Sequence, residues 1–159
     1  MATLGKAVGV SGAFIAASQC WIDWLIQKAR PVIYSTAPSP AIAHTILKSI
    51  EFIESNEGKD RREHLQELIR HWNTHAQFKR WLALPSKSAI QPLIIGSNRD
   101  VITLSSALQD LGYWVPAIRP PTVPKDMGRL RISLNAEHTI AHLDELLQSL
   151  LSFERTDHA

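Results

Sequence analysis

The sequence predicts an α/β chain that has a helical first part and a small α+β second part. Apolar residues recur at helical spacing over residues 41–55 and again over residues 60–79, so both stretches predict long helices. Gly58 falls between them and marks the expected boundary between the two parts. Three β-like stretches then alternate with helical ones, which predicts a sheet with helices on one face.

The first part begins with a segment that favours irregular backbone. Spaced glycines predict a loop over residues 1–12. The apolar run at residues 13–17 predicts a short buried strand, and residues 19–30 predict a helix that Pro31 ends. The side chains expected inside are Trp21, Ile22, Trp24, Leu25 and Ile26.

The second part carries the patterns of helices packed on a sheet. On the helix predicted at residues 60–79, four apolar residues share one face, and we expect that face to be buried. These four are Leu65, Leu68, Ile69 and Trp72. The predicted strands are 89–95, 113–118 and 129–134, and the predicted helices are 99–111 and 136–151.

Composition and charge exclude several classes of protein. The chain has 159 residues, 45% of them hydrophobic, and a formal net charge of +2. Basic and acidic residues are interleaved, so no basic stripe indicates a nucleic-acid surface. A single cysteine, Cys20, excludes an internal disulfide, and no apolar run reaches membrane-spanning length. We expect a cytoplasmic protein without nucleic-acid or membrane partners.

Lys6 lies in a pattern that favours chemistry. Glycines and small residues surround it, so a ligand carbonyl can approach its amine and form a Schiff base. A glycine-lysine pair also occurs in phosphate-binding loops. Here Ala7 stands where that motif has the Ser or Thr that holds magnesium, and the upstream glycine is absent. The nucleotide-loop interpretation therefore fails.

Two arginines near the end of the chain alternate with aliphatic residues. Arg129 and Arg131 flank Leu130, so a strand here puts both arginines on one face and the aliphatic side chains on the other. This is the pattern of an ordinary half-buried strand. A guanidinium on a rigid strand can also hold a carboxylate through two parallel hydrogen bonds, and the residues alone leave both interpretations open.

Three histidines form a stripe along the second long helix. His64, His71 and His75 border its apolar face, which resembles a row of metal ligands. Their spacing is too stretched for all three to reach one ion, and only His71 and His75 are adjacent on the helix surface. We therefore expect histidines that flank a core seam and no metal site.

Two hydroxyl residues precede the first long helix. Ser35 and Thr36 lie shortly before it, close to two prolines. Their hydroxyls can cap the helix or, together with free backbone amides, receive a phosphate. Capping is the default expectation.

Several strings in this chain resemble a known enzyme family. Residues 3–12, Thr-Leu-Gly-Lys-Ala-Val-Gly-Val-Ser-Gly, are similar to the cofactor-lysine segment of the α-oxoamine synthases, which are fold-type I enzymes dependent on pyridoxal 5′-phosphate (PLP). Residues 119–124, Arg-Pro-Pro-Thr-Val-Pro, are the most discriminating string and resemble the biotin-pathway branch of that family. The resemblance also covers residues 33–36, 89–94 and 129–131.

The resemblance implies a domain organisation. Residues 1–57 would be the C-terminal remnant of the PLP-binding large domain with its interdomain helix. Residues 58–159 would be the small C-terminal α+β domain, with a mostly antiparallel sheet. The family's glycine-rich cofactor turn, its ring-stacking histidine and its ring-pairing aspartate would precede Met1. We therefore expect a C-terminal fragment that is inactive alone.

The resemblance also implies roles for particular residues. Lys6 would be the catalytic residue that binds PLP covalently, and Thr3 would hydrogen-bond the cofactor phosphate. Ser35 or Thr36 would reach the phosphate of the neighbouring subunit, since the complete enzyme is expected to be a homodimer. The implied substrate-binding residues are Thr122 and, for the amino-acid carboxylate, Arg131.

The implied reaction is a decarboxylative condensation. L-alanine would react with pimeloyl-CoA, or with a pimeloyl carrier-protein thioester, to give 8-amino-7-oxononanoate and carbon dioxide. PLP would act as the electron sink, and Lys6 would take the α-proton. Two alternatives stay open: another α-oxoamine synthase such as a 2-amino-3-ketobutyrate CoA ligase, and a non-catalytic remnant or interaction module.

Overall fold

A computed structural model describes residues 1–156 and confirms the predicted α/β fold. Residues 157–159 of the predicted second domain lie outside the described part. The chain divides into two compact units, Met1–Asp60 and Arg61–Ala159. Within residues 1–156, no helix combines the length and the apolar character needed to cross a membrane.

The first unit contains a two-stranded antiparallel ribbon and a series of helices. Its complete elements are β1 (Ala2–Thr3), β2 (Ala13–Phe14), α1 (Gln19–Lys28), α2 (Arg30–Ile33) and α3 (Pro40–Glu54). Helix α4 (Asn56–His75) begins in this unit and ends in the second. The predicted long helix at residues 41–55 is confirmed, with α3 beginning one residue earlier.

The burial predicted for the first unit is wrong. The strand expected at residues 13–17 is two residues long and exposed, and α1 buries none of its residues. Trp21 is 62% exposed and Trp24 is 54% exposed. Apolar spacing shows which face of a helix favours burial, but burial needs an opposing apolar layer. Leu4 is the one buried hydrophobic residue among the described residues 1–60.

Gly58 does not interrupt the helices as expected. It lies in the first turn of α4, where a β-carbon would sit 2.4 Å from the carbonyl oxygen of Phe52 and 2.5 Å from that of Ile53. Ser55 joins the two helices, because its hydroxyl donates to the Phe52 carbonyl at 2.7 Å and accepts from the Gly58 amide at 3.2 Å. Glycine is therefore required by close backbone approach rather than by chain reversal.

The second unit has helices packed on a four-stranded antiparallel sheet in the order β3-β4-β6-β5. The strands are β3 (Leu82–Ala83), β4 (Ile90–Gly96), β5 (Ala117–Ile118) and β6 (Gly128–Ser133). The helices are α5 (Asn98–Asp110) and α6 (Ile140–Thr156), in addition to the end of α4. Strand β5 is shorter than the predicted 113–118, and β3 was not predicted.

The core of the second unit lies between the sheet and its helices. Leu130 and Ile132 of β6 are buried, as are Leu68 and Trp72 on the predicted inner face of α4. Helix α6 adds four leucines to the same cluster, namely Leu143, Leu146, Leu147 and Leu150. The burial expected for the α4 face is confirmed, except that Leu65 is only partly buried.

The close approach at Gly58 predicts a stability effect. Gly58→Ala should lower the free energy of unfolding by about 1–3 kcal/mol, because the added methyl group overlaps two carbonyl oxygens and the backbone must move. Gly5→Ala is the matched control, since a β-carbon at Gly5 meets no heavy atom within 4 Å. Urea unfolding followed by circular dichroism measures both. Equal stability of the two variants would contradict this account of Gly58.

Candidate functional site

Lys6 lies in the turn of the β1–β2 ribbon. The ribbon pairs Ala2 with Phe14 and Thr3 with Ala13. Beyond the pairs, the Leu4 amide donates to the Gly12 carbonyl at 2.9 Å. The backbone has positive φ at Gly12 (138°), a conformation that side-chain-bearing residues rarely adopt. The predicted loop over residues 1–12 therefore contains β1 and the long connection to β2, which presents Lys6 to solvent.

The Lys6 amine has one neighbouring polar group within the hairpin. Its Nζ donates to Thr3 Oγ1 at 3.4 Å, a long hydrogen bond that leaves the amine free to react. Gly5 and Gly9 leave open space beside it, since a β-carbon at either would meet no atom within 4 Å. These groups fit PLP. The primary amine of Lys6 can react with the PLP aldehyde, the Thr3 hydroxyl can bind the PLP phosphate, and the backbone beside them is uncrowded.

A distant side chain anchors this hairpin. Ser49 in α3 donates its hydroxyl hydrogen to the Val8 carbonyl at 2.7 Å, and the two residues are 41 positions apart in sequence. Sequence reasoning missed Ser49, because a serine inside an amphipathic helix gives no local signal of such a contact. Ser49 therefore connects the lysine hairpin to α3.

The segment before α3 contains the residues expected at a phosphate. Ser35 and Thr36 are both exposed and precede the helix. The hydroxyl that caps α3 belongs to Ser39, which accepts from the Ala41 amide at 3.3 Å. Capping by Ser35 or Thr36 is therefore wrong, since Ser39 stands next to the first helical residue. Phosphate binding by these two residues stays a prediction.

Arg131 lies on the exposed face of β6. It pairs across the sheet with Pro92, and its amide donates to the Pro116 carbonyl at 3.0 Å. Arg129 shares that face, but its Nε donates to the Met127 carbonyl at 3.2 Å. Within residues 1–156 the Arg131 side chain makes no hydrogen bond or ion pair. The predicted alternation is confirmed, and Arg131 is the more exposed of the two arginines.

The predicted site residues fall into both units. Thr3 and Lys6 are together in the hairpin of the first unit. Ser35 and Thr36 belong to the same unit but lie outside the hairpin. Thr122 belongs to the second unit with Arg131. Thr122 is exposed in a turn, where its amide donates to the Arg119 carbonyl at 3.0 Å.

The histidine stripe on α4 is engaged with different partners. His71 Nε2 lies 2.6 Å from Asp144 Oδ1 of α6, and the His71 and His75 rings stack at 4.1 Å. His64 Nε2 lies 2.8 Å from the His138 carbonyl, so it donates there. The described residues contain no cluster of three side chains arranged to hold a metal ion. His71 thus joins α4 to α6, and His64 joins α4 to the turn before α6.

Residues 1–150 match the family described as aminotransferase class I and II. Two curated relatives named 8-amino-7-oxononanoate synthase are similar over nearly the whole chain. The protein of Janthinobacterium sp. (strain Marseille) is 50% identical over 157 residues, 99% of this chain and 40% of its own length. That of Herminiimonas arsenicoxydans is 52% identical over 150 residues, 94% of this chain and 39% of its own length.

Two solved structures are similar in fold. The crystal structure of 8-amino-7-oxononanoate synthase from Francisella tularensis has a TM-score of 0.81 at 25% identity, covering 99% of this chain and 45% of that one. Serine palmitoyltransferase from Sphingomonas wittichii has a TM-score of 0.79 at 26% identity, covering 97% and 39% respectively. The chain thus spans about two fifths of the length of the curated relatives described above.

Proposed function

The chain belongs to the class I and II aminotransferase family, and from this premise we propose that it supplies the catalytic lysine of a PLP-dependent α-oxoamine synthase. The observation that carries the proposal is the exposed Lys6 amine, 3.4 Å from the Thr3 hydroxyl. The proposed reaction is the condensation of L-alanine with pimeloyl-CoA, or with a pimeloyl carrier-protein thioester, to 8-amino-7-oxononanoate in biotin biosynthesis. The 50% identity to a synthase of that name supports this choice.

Lys6 performs two tasks in the proposed mechanism. Its Nζ would hold the cofactor covalently and, with the amino acid in place, would accept the α-proton of alanine. PLP, when bound, supplies an electron sink for the carbon that loses this proton. The Thr3 hydroxyl holds the cofactor phosphate, which keeps the reactive amine and the phosphate site in one hairpin.

Arg131 orients the amino acid in this proposal. Its guanidinium grips the alanine carboxylate through two parallel charge-assisted hydrogen bonds. Support comes from the exposed position of Arg131 on the rigid strand β6, with no competing side-chain partner in the described part of the chain. Thr122, in the turn that precedes β6, contacts the substrate.

The remaining assignments concern the assembled enzyme. We propose a homodimer in which Ser35 or Thr36 reaches the cofactor phosphate of the neighbouring subunit. Both residues lie in an exposed, irregular segment, where hydroxyls and amides are accessible to a phosphate. We assign residues 1–57 to the large domain, residues 58–159 to the small domain, and the enzyme to the cytoplasm.

An alternative within the same class is another α-oxoamine synthase. The fold similarity to a serine palmitoyltransferase at 26% identity supports this alternative function. A screen of amino acids against acyl-CoA thioesters separates the two. Preference for alanine and the pimeloyl thioester supports the biotin-pathway reaction, and preference for another pair supports the alternative.

The catalytic role of Lys6 is tested in a chimera in which this chain replaces the matching 157 residues of the Janthinobacterium relative. We expect the chimera to form 8-amino-7-oxononanoate. Lys6→Ala should remove PLP trapped by borohydride at this position and lower turnover at least about 100-fold, because the covalent attachment and the base are both lost. Peptide mapping and a product assay measure the two effects.

Lys28→Ala is the matched control, because Lys28 is an exposed lysine at the end of α1. It should leave both the label and the turnover unchanged. A PLP label on Lys28 or Lys48 in the parent chimera would contradict the assignment of Lys6.

The proposed role of Arg131 predicts that its substitution lowers kcat/KM for alanine more than for the thioester. In the same chimera, Arg131→Lys should lower kcat/KM for alanine at least about tenfold, because lysine keeps the charge but loses one of two parallel bonds. The thioester should be affected much less. Arg70→Lys, on an exposed face of α4, is the control. An unchanged alanine dependence in a folded Arg131→Lys variant would remove Arg131 from the site.

A further inference from the structure

The first turn of α6 is capped by an imidazole. Thr139 Oγ1 accepts from the His142 amide at 3.2 Å, and His142 Nδ1 accepts from the Thr139 amide at 3.3 Å. This reciprocal pair is the arrangement of a capping box, in which the third helical residue is ordinarily Glu or Gln. Here a histidine occupies that position, so the acceptor is an imidazole nitrogen, which accepts only while the ring is neutral.

A second imidazole closes the turn just before α6. His138 Nδ1 accepts from the Asn135 amide at 3.3 Å, and the His138 amide donates to the Asn135 carbonyl at 3.2 Å. The Asn135 side-chain oxygen accepts from the Glu137 amide at 2.9 Å, and its Nδ2 lies 3.5 Å from His138 Nε2, at the distance limit of a hydrogen bond. Asn135 follows Leu134, whose amide donates to the Ala89 carbonyl at 2.8 Å. The two histidines therefore hold the connection between β6 and α6.

The hydrogen bonds that these two imidazoles accept, one in the cap of α6 and one in the turn before it, both require neutral rings. A neutral imidazole accepts through Nδ1 when Nε2 carries the hydrogen, whereas a protonated imidazole has two donors and no acceptor. Protonation would therefore direct an N–H group at the backbone amide of Asn135 or Thr139. The positive end of the α6 dipole adds a further cost to a cation at this terminus.

The surroundings of the two rings also oppose protonation of His138. Burial lowers the pKa of His138, and the neighbouring His142 lowers it further; the ring centroids are 6.4 Å apart. Both rings border a cavity of about 450 Å³ that connects them to solvent. The titratable and charged groups around the pair are His64 of α4, the Arg61–Glu137 ion pair, Tyr113 and Glu145 at the cavity, and Asp144 with His71.

We propose that His138 and His142 form a pH-sensitive clasp, which holds the start of α6 against the end of β6 while both rings are neutral and releases it on acidification. Because the pKa of His138 is lowered in the folded chain, its stabilising contribution is complete above 6.5, the ordinary value, and is lost as the pH falls below it. Arg131 lies on the same strand, so under the proposed function acidification also loosens the carboxylate site.

The clasp is tested on the full chain with His138→Gln, His142→Gln and the double variant. Glutamine keeps a side-chain acceptor, as in an ordinary capping box, but does not titrate. His44→Gln is the control, since His44 is exposed on α3 in the first unit. Urea midpoints from circular dichroism are compared between about pH 8 and about pH 5, a range that spans histidine titration.

We expect the parent and His44→Gln midpoints to fall together on acidification and the double-variant midpoint to fall less. A double variant with the same pH dependence as the parent would overturn the proposal. NMR of the His138 ring in the parent gives a second readout that needs no variant. Titration of that ring below 6.5, with loss of amide protection at Asn135 and Thr139, supports the clasp. Titration at or above 6.5 refutes it, whatever the activity of the chimera.

Discussion

The side-chain alternation of β6 is the constraint on which the second unit depends. The strand lies between β4 and β5, with Leu130 and Ile132 buried and Arg129 and Arg131 on the opposite face. Because side chains alternate with a period of two, a slip of one residue would bury both arginines and expose the aliphatic residues. The register that forms the core therefore also presents Arg131 to solvent and sets where the chain enters α6.

The two units differ in how far their apolar side chains are buried. The second unit places Trp72 and Leu68 in a continuous core, whereas the first unit exposes Trp21 and Trp24 and buries Leu4. A catalytic group needs supporting contacts that hold it in position. In the first unit the hairpin of Lys6 is anchored to α3 by a hydrogen bond from Ser49. This bond is a supporting contact of the kind that the proposed chemistry at Lys6 requires.

The side chains that cap the helices of this chain differ in whether they are hydroxyls or imidazoles. Ser39 and Ser97 cap α3 and α5 with hydroxyls that do not titrate near neutral pH. Helix α6 instead uses the imidazole of His142 beside the hydroxyl of Thr139, and the imidazole of His138 closes the turn before the helix. The connection that follows the strand of Arg131 is thus the one that we propose loosens on acidification. Under this proposal, the position of the start of α6 against the end of β6 affects the proposed carboxylate site at Arg131.

Periodic patterns alone predicted the inner face of α4 and the alternation of β6, and the similarity of residues 3–12 to a known family pointed to Lys6. Such features depend on a residue and its near neighbours in the chain. Tertiary structure decided the exposure of Trp21, the backbone contact that requires glycine at Gly58, and the anchoring of the hairpin by Ser49 at the Val8 carbonyl. Each depends on whether a second surface or a particular backbone atom lies within a few ångströms, and that distance is not a property of local sequence.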